Sequence, residues 1–158
     1  MKNARMLFGL ALLVGATQMV SGEVPSAAQQ EQARRDRLRM AVQEICPSSG
    51  QKLGTHGQPI KVKVGKETVF LCCKGCLKQK LNPQHWATIH ANFAKAQQIC
   101  PVMEHELPKN PKWTIVQGQI VYVCCPPCTK KIDADPKTYL QKIDELYTAS
   151  LKAKQARR

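Results

Sequence analysis

Aromatic and acidic side chains are scarce in this sequence. Two Trp, three Tyr and three Phe are spread over 158 residues, and 11 Asp+Glu face 24 Lys+Arg, for a formal net charge of +13. So few large apolar groups give thin cores, and small units with thin cores need disulfides or a metal to stay folded. No apolar run is long enough to span a bilayer: the longest, Met6–Val20, has 15 residues where about 20 are required. Paired carboxylates, a glycine-rich phosphate loop and a G-x-S-x-G element are also missing, so the chain does not read as an enzyme. What it does have is 43% hydrophobic content, enough for part of it to fold, and eight cysteines.

The N-terminus carries a compartment signal. Lys2 and Arg5 precede the apolar stretch, and Val20-Ser21-Gly22 offers small residues for cleavage, with Val14-Gly15-Ala16 as an alternative. This pattern predicts a secretory signal peptide over residues 1–22 and an exported, periplasmic or secreted protein. No cysteine follows the cleavage site, which argues against a lipoprotein anchor. Removing Lys2 and Arg5 takes two from the formal +13 and leaves +11. Basicity in an exported chain does not point to nucleic acid. Export also gives the cysteines a second meaning, since disulfides persist in oxidising compartments.

An internal repeat organises the rest. One copy begins Ile45-Cys46-Pro47 and reaches Val69-Phe70-Leu71-Cys72-Cys73-Lys74-Gly75-Cys76. The other begins Ile99-Cys100-Pro101 and reaches Val121-Tyr122-Val123-Cys124-Cys125-Pro126-Pro127-Cys128. The offset is 54 residues at the first cysteine and 52 at the other three, so all eight cysteines obey one scheme. Each copy continues through a lysine-rich stretch to Asn82-Pro83 or Asp135-Pro136, which reads as a capped helix start. The predicted organisation is a helical segment over 23–44, cysteine-rich repeats over 45–98 and 99–148, and a basic, frayed tail over 149–158.

Before each doubled cysteine the pattern is that of a β-hairpin. Ile60, Val62 and Val64 alternate with lysines, Gly65-Lys66 turns, and Thr68–Leu71 returns; Trp113–Val116, Gln117-Gly118 and Ile120–Val123 repeat the plan. A short helix is expected through Leu77–Leu81 and Thr129–Ile132, with longer helices over His85–Gln98 and Tyr139–Gln155. Ser26–Glu44 is polar enough to predict a solvated helix, and residues 22–27 and 156–158 are expected to be disordered. Trp86 and Tyr139 are expected to pack their helices onto the hairpins, and the two repeats to hold two small cores.

In each copy a distant cysteine is returned by the hairpin to a C-C-x-x-C cluster at a strand-to-helix turn, the layout of a small metal-binding finger. The candidate ligands are Cys46, Cys72, Cys73 and Cys76, then Cys100, Cys124, Cys125 and Cys128. Adjacent residues of an extended strand point to opposite faces, so both members of a doublet can reach one ion only if the strand ends between them. Three ligands per copy is as consistent with the pattern as four, and Cys73 with Cys76, or Cys125 with Cys128, are the pairs the C-x-x-C spacing favours. Met103 and His105, just behind Cys100, could add a softer contact to copper. His56, His85 and His90 are expected at the surface or in packing.

These elements resemble the TRASH and YHS-type heavy-metal-binding domains: the C-P start, a glycine-containing loop, a hairpin ending V-x-x-C-C-x-x-C, and an N/D-P-x-x-[W/Y] helix. The resemblance covers residues 45–90 and 99–147. It implies an α+β fold of two tandem treble-clef-like units flanked by helices, and metal-binding thiols at Cys46, Cys72 or Cys73, and Cys76, with Cys100, Cys124 or Cys125, and Cys128. The doubled cysteine departs from the usual three-cysteine form, and the Tyr-His-Ser triplet of one branch is missing.

The function expected is binding of one soft or borderline ion per repeat, Zn or Cu, as a metal chaperone, buffer or resistance accessory. A metal-efflux or trafficking protein is the corresponding partner. Two other readings stay open. Two disulfides per repeat would make a stapled interaction module whose lysines, Lys61, Lys63, Lys66, Lys74, Lys78 and Lys80 in the first copy, meet an anionic envelope surface. The C-x-x-C pairs alternatively suit thiol–disulfide exchange, although each unit is short for the frame that chemistry uses.

Overall fold

The computed structural model describes residues 25–157, so the predicted signal peptide over 1–22 lies outside the described residues. The fold is α+β: among the described residues, four α-helices accompany two separate two-stranded antiparallel sheets. Helix α1, Ala27–Gln43, starts at Ser26, whose hydroxyl accepts from the Gln29 N–H while the Gln29 side chain returns to the Ser26 N–H. This reciprocal cap is why residues 26 and 27 are ordered and not the disordered lead-in expected from composition.

Strands β1, Ile60–Val64, and β2, Glu67–Leu71, pair with Val62 opposite Val69. Strands β3, Lys112–Val116, and β4, Gln119–Val123, pair with Thr114 opposite Val121. Both turns fall where the sequence places them, and Gly65, Gln117 and Gly118 take positive φ there. In each hairpin the return strand is fully buried while its partner is partly exposed.

Helix α2, Pro83–Gln97, is capped by Asn82, whose side chain accepts from Gln84 N–H at 2.8 Å. Helix α4, Pro136–Ala156, is capped by Asp135, which accepts from Thr138 N–H at 3.3 Å. Both therefore begin at the Pro that the sequence marks. Helix α4 runs on through the stretch expected to fray, and Leu151 packs against the core.

The segments after the C-x-x-C motifs differ. Helix α3, Pro127–Ala134, is a regular helix anchored by buried Ile132. The first copy has a 3-10 turn over Lys74–Lys78 and no helix through Leu81. Lys80 stands where Ile132 stands in the other copy, so the anchoring position carries no apolar side chain, and the leucines nearby, Leu77 and Leu81, are exposed.

Two equal small cores do not form. One large cluster gathers Val42 of α1, Ile89 and Phe93 of α2, Ile120 to Val123 of β4, Ile132 of α3, and Leu140, Ile143 and Tyr147 of α4. The second cluster is only Cys46, Leu71, Cys72 and Cys76. Helix α1 is solvated over its first turns, as expected, but not at its end, where Arg39, Val42 and Gln43 are buried. Two of those three are polar, which is why apolar periodicity does not reveal the buried end.

Buried polar groups knit the hairpins to the helices. The Arg39 guanidinium donates to Thr68 O at 2.7 Å and Gly118 O at 2.8 Å, joining β2 to the turn of the other hairpin. Thr68 N–H donates to the same Gly118 carbonyl at 2.8 Å. The His90 ring lies 3.1 Å from Glu67 Oε2, with Trp86 and Trp113 around it at centroid distances of 5.4 and 6.2 Å. Trp86 thus packs on His90 of its own helix, and Tyr139 packs against the large cluster. Asp144, buried in α4, takes Arg34 at 3.3 Å and Arg35 at 3.2 Å from α1. Burial raises its pKa above the ordinary value, with both arginines pulling it back.

Candidate metal centres

Each cysteine loop follows directly on a helix whose C-terminal residues are reversed by a positive φ, Glu44 at 65° and Gln98 at 56°. The chain then makes one short bridge, Ile45 with Lys52 or Ile99 with Glu106, and folds tightly around the first cysteine. Cys46 N–H donates to Gln51 O and Gly50 N–H to Cys46 O; Cys100 N–H donates to His105 O and Glu104 N–H to Cys100 O. The fourth residue after each cysteine needs positive φ, and it is Gly50 at 72° in one loop but Glu104 at 56° in the other. In the first loop the His85 ring fills the space beside Gly50, where an added Cβ would lie 2.6 Å from Nε2.

Strands β2 and β4 end at Leu71 and Val123, so both members of each doublet lie past the strand. The geometry gathers one of them into each group. The sulfurs of Cys46, Cys72 and Cys76 lie within 4.8 Å of one another, as do those of Cys100, Cys124 and Cys128. Measured pairs include Cys72–Cys76 at 3.5 Å, Cys100–Cys128 at 3.9 Å and Cys124–Cys128 at 3.9 Å. Four tetrahedral thiolates at a Zn–S distance of about 2.3 Å stand roughly 3.8 Å apart, so the trios fit an ion of that size.

Cys73 and Cys125 stand beside the trios. Cys73 Sγ is 3.9 Å from Cys72 Sγ and 3.8 Å from Cys76 Sγ, and Cys125 Sγ is 3.0 Å from Cys128 Sγ. Both are half-buried, whereas Cys46, Cys72, Cys76, Cys100 and Cys128 are buried. All eight are free thiols. His105 offers the site its carbonyl, and its side chain, like that of Met103, is exposed.

Electrostatics divide the thiols. At Cys46 burial opposes ionisation, but the Ser49 hydroxyl and the backbone N–H groups of Ser49, Cys72 and Ser48 outweigh it and hold the thiol at about 7. At Cys100 burial is likewise outweighed, by backbone N–H groups of Cys124, Met103 and Val102, and the pKa is lowered. Cys73 is lowered chiefly by the Cys76 N–H, and Cys125 chiefly by the Cys128 thiol. Burial pushes Cys76 up to about 12 and raises Cys128 and Cys124 as well. Each trio therefore pairs a thiol eased toward the thiolate, Cys46 or Cys100, with one that burial keeps protonated, Cys76 or Cys128, and that an incoming cation must help deprotonate.

Sequence reasoning passes over two residues that the structure places at these centres, Gln43 and Gln97. Both are fully buried. Gln43 Nε2 donates to Ile45 O at 2.8 Å and Phe70 O at 2.7 Å, and Oε1 accepts from Phe70 N–H at 2.9 Å. Gln97 repeats this with Ile99 O at 2.9 Å, Tyr122 O at 2.6 Å and Tyr122 N–H at 2.9 Å. The signal was in the repeat: Gln stands three residues before the first cysteine in both copies.

No family model, curated protein or solved structure matches this chain. The two cysteine groups stand on their own geometry, as sites able to hold one metal ion each.

Proposed function

We propose that this protein is an exported carrier or buffer of soft or borderline metal ions, Zn(II), Cu(I) or a heavier thiophilic ion, with one ion held by each trio. The observation that carries this reading is the convergence of three sulfurs on one point, twice, with spacing suited to metal–thiolate bonds. A disulfide joins two sulfurs and gains nothing from a third held at a similar distance. The motif resemblance to TRASH and YHS-type domains points the same way, and of the two cysteines it allows in each doublet the sulfur geometry favours Cys72 and Cys124. Three thiolates leave a fourth coordination position to an exchanging ligand, and the half-buried Cys73 and Cys125 stand beside Cys76 and Cys128 at 3.8 and 3.0 Å. Such an arrangement suits capture and hand-over better than a closed four-thiolate structural site. The role is binding and delivery and not catalysis, and the receiving partner is a trafficking or efflux protein.

The test is elemental analysis with thiol counting on reduced protein loaded with Zn(II) or Cu(I). The expected result is two ions per chain, with all eight thiols alkylatable after chelation. Cys76→Ser should remove one ion and Cys76→Ser with Cys128→Ser both. No uptake by the reduced wild type, or uptake unchanged in the double variant, would overturn the reading.

A further inference from the structure

We propose that Gln43 and Gln97 are positioning residues of the two metal centres, each carboxamide fixing the loop cysteine of its trio relative to the strand-end cysteine. The assignment rests on the metal reading above. A primary amide has two N–H donors and one carbonyl acceptor, and here the two backbone carbonyls and one backbone N–H that surround it use one orientation of the group. Ile45 is the residue before Cys46, and Phe70 lies two before Cys72. One buried group therefore holds both arms of the trio, and the third arm, Cys76, follows Cys72 within a single turn.

In the second unit Gln97 makes the same three bonds, although its surroundings have changed. Phe70 is replaced by Tyr122, Glu44 by Gln98, Ser49 by Met103 and Gly50 by Glu104. Neighbouring side chains differ and the connection between cysteine loop and strand does not. Residues that hold metal ligands in place typically change affinity by about 10–100-fold when replaced.

The two units supply each other's control. Gln43→Met keeps the length of the side chain and removes its hydrogen bonds. Reduced wild type and variant would be titrated with Cd(II), reading thiolate-to-metal charge-transfer absorption and mapping which cysteines the metal protects from alkylation. The expected result is about 10–100-fold weaker binding at Cys46, Cys72 and Cys76, with Cys100, Cys124 and Cys128 unchanged; Gln97→Met should do the converse. Should Gln43→Met not fold by circular dichroism, Gln43→Glu, which keeps the acceptor for the Phe70 N–H, carries the same test. Binding at wild-type strength in the variants, or equal weakening of both sites, overturns the positioning role. A wild type that takes up no Cd(II) overturns the metal reading itself, and the assignment with it.

Discussion

The first and second units share a backbone plan and differ in what supports it. In the second, Cys100 and Cys128 belong to the large cluster of α1, α2, β4, α3 and α4, so aliphatic and aromatic side chains surround the thiols. In the first, the cluster around Cys46, Cys72 and Cys76 contains one buried apolar side chain other than the cysteines, Leu71. A repeat can thus duplicate a site without duplicating its core. The unit with the poorer core then depends more on whatever its thiols bind.

The largest expected effect tests how far the better core is shared. Phe93, buried and 5.9 Å from the Tyr147 ring, lies on α2, which is preceded by the first unit and runs into the second. Phe93→Ala should cost about 3–5 kcal/mol in denaturant unfolding and weaken metal binding in both units. Chelating the metal should act on one unit only: amide protection over residues 45–82 should fall, while that of β4 and α4 persists. Equal loss of protection in the two units would break the comparison.

The hairpin turns come next. Gly118 has φ +80°, and an added Cβ would lie 2.3 Å from Thr68 Oγ1, whereas Gly65 has φ +59° and nothing within 4 Å. Gly118→Ala carries both backbone and steric strain and should cost about 3 kcal/mol, against roughly 1 kcal/mol for Gly65→Ala. Thr68→Ala should recover part of the loss in the Gly118 variant. Strict additivity in that double-mutant cycle would mean that the contact between hairpins is not the cause.

Much of this architecture is legible in the sequence because its signals are local. Alternation in Ile60–Val64, β-branched and aromatic runs and glycine-containing turns mark both hairpins, Asn82-Pro83 and Asp135-Pro136 mark two helix starts, and the repeat sorts the cysteines into two groups. What was hidden depends on contacts between distant segments. Arg39 and Gln43 look like ordinary residues of a polar helix, and only folding places them against Thr68, Gly118 and Phe70. The choice between the cysteines of a doublet likewise depends on how the chain leaves the strand at Leu71 and Val123, which alternation within the strand does not determine. Lys80 in place of Ile132 carried a visible warning about the missing helix, since a basic residue cannot anchor where an isoleucine does.

The smallest expected effect concerns the paired positions Gly50 and Glu104. Both need positive φ, and only the second bears a side chain there. Gly50→Ala should destabilise, because its Cβ would meet the His85 ring. Glu104→Gly should stabilise by about 1 kcal/mol by relieving left-handed strain, less what the exposed pair with Lys142 at 2.8 Å contributes. That pair holds the Glu104 pKa below its ordinary 4.5, first through the hydrogen bond from Lys142 and then through its charge. A carboxylate with a lowered folded pKa adds stability above its unfolded pKa and loses it as pH falls through the folded one. The gain from Glu104→Gly should therefore be smaller at neutral pH and grow as the solution is acidified below 4.5, read as a difference in thermal midpoint between variant and wild type. A gain that shrinks in acid would mean that the Lys142 pair does not stabilise the folded loop, and the lack of any gain in acid would mean that backbone strain at Glu104 is not what separates the two loops.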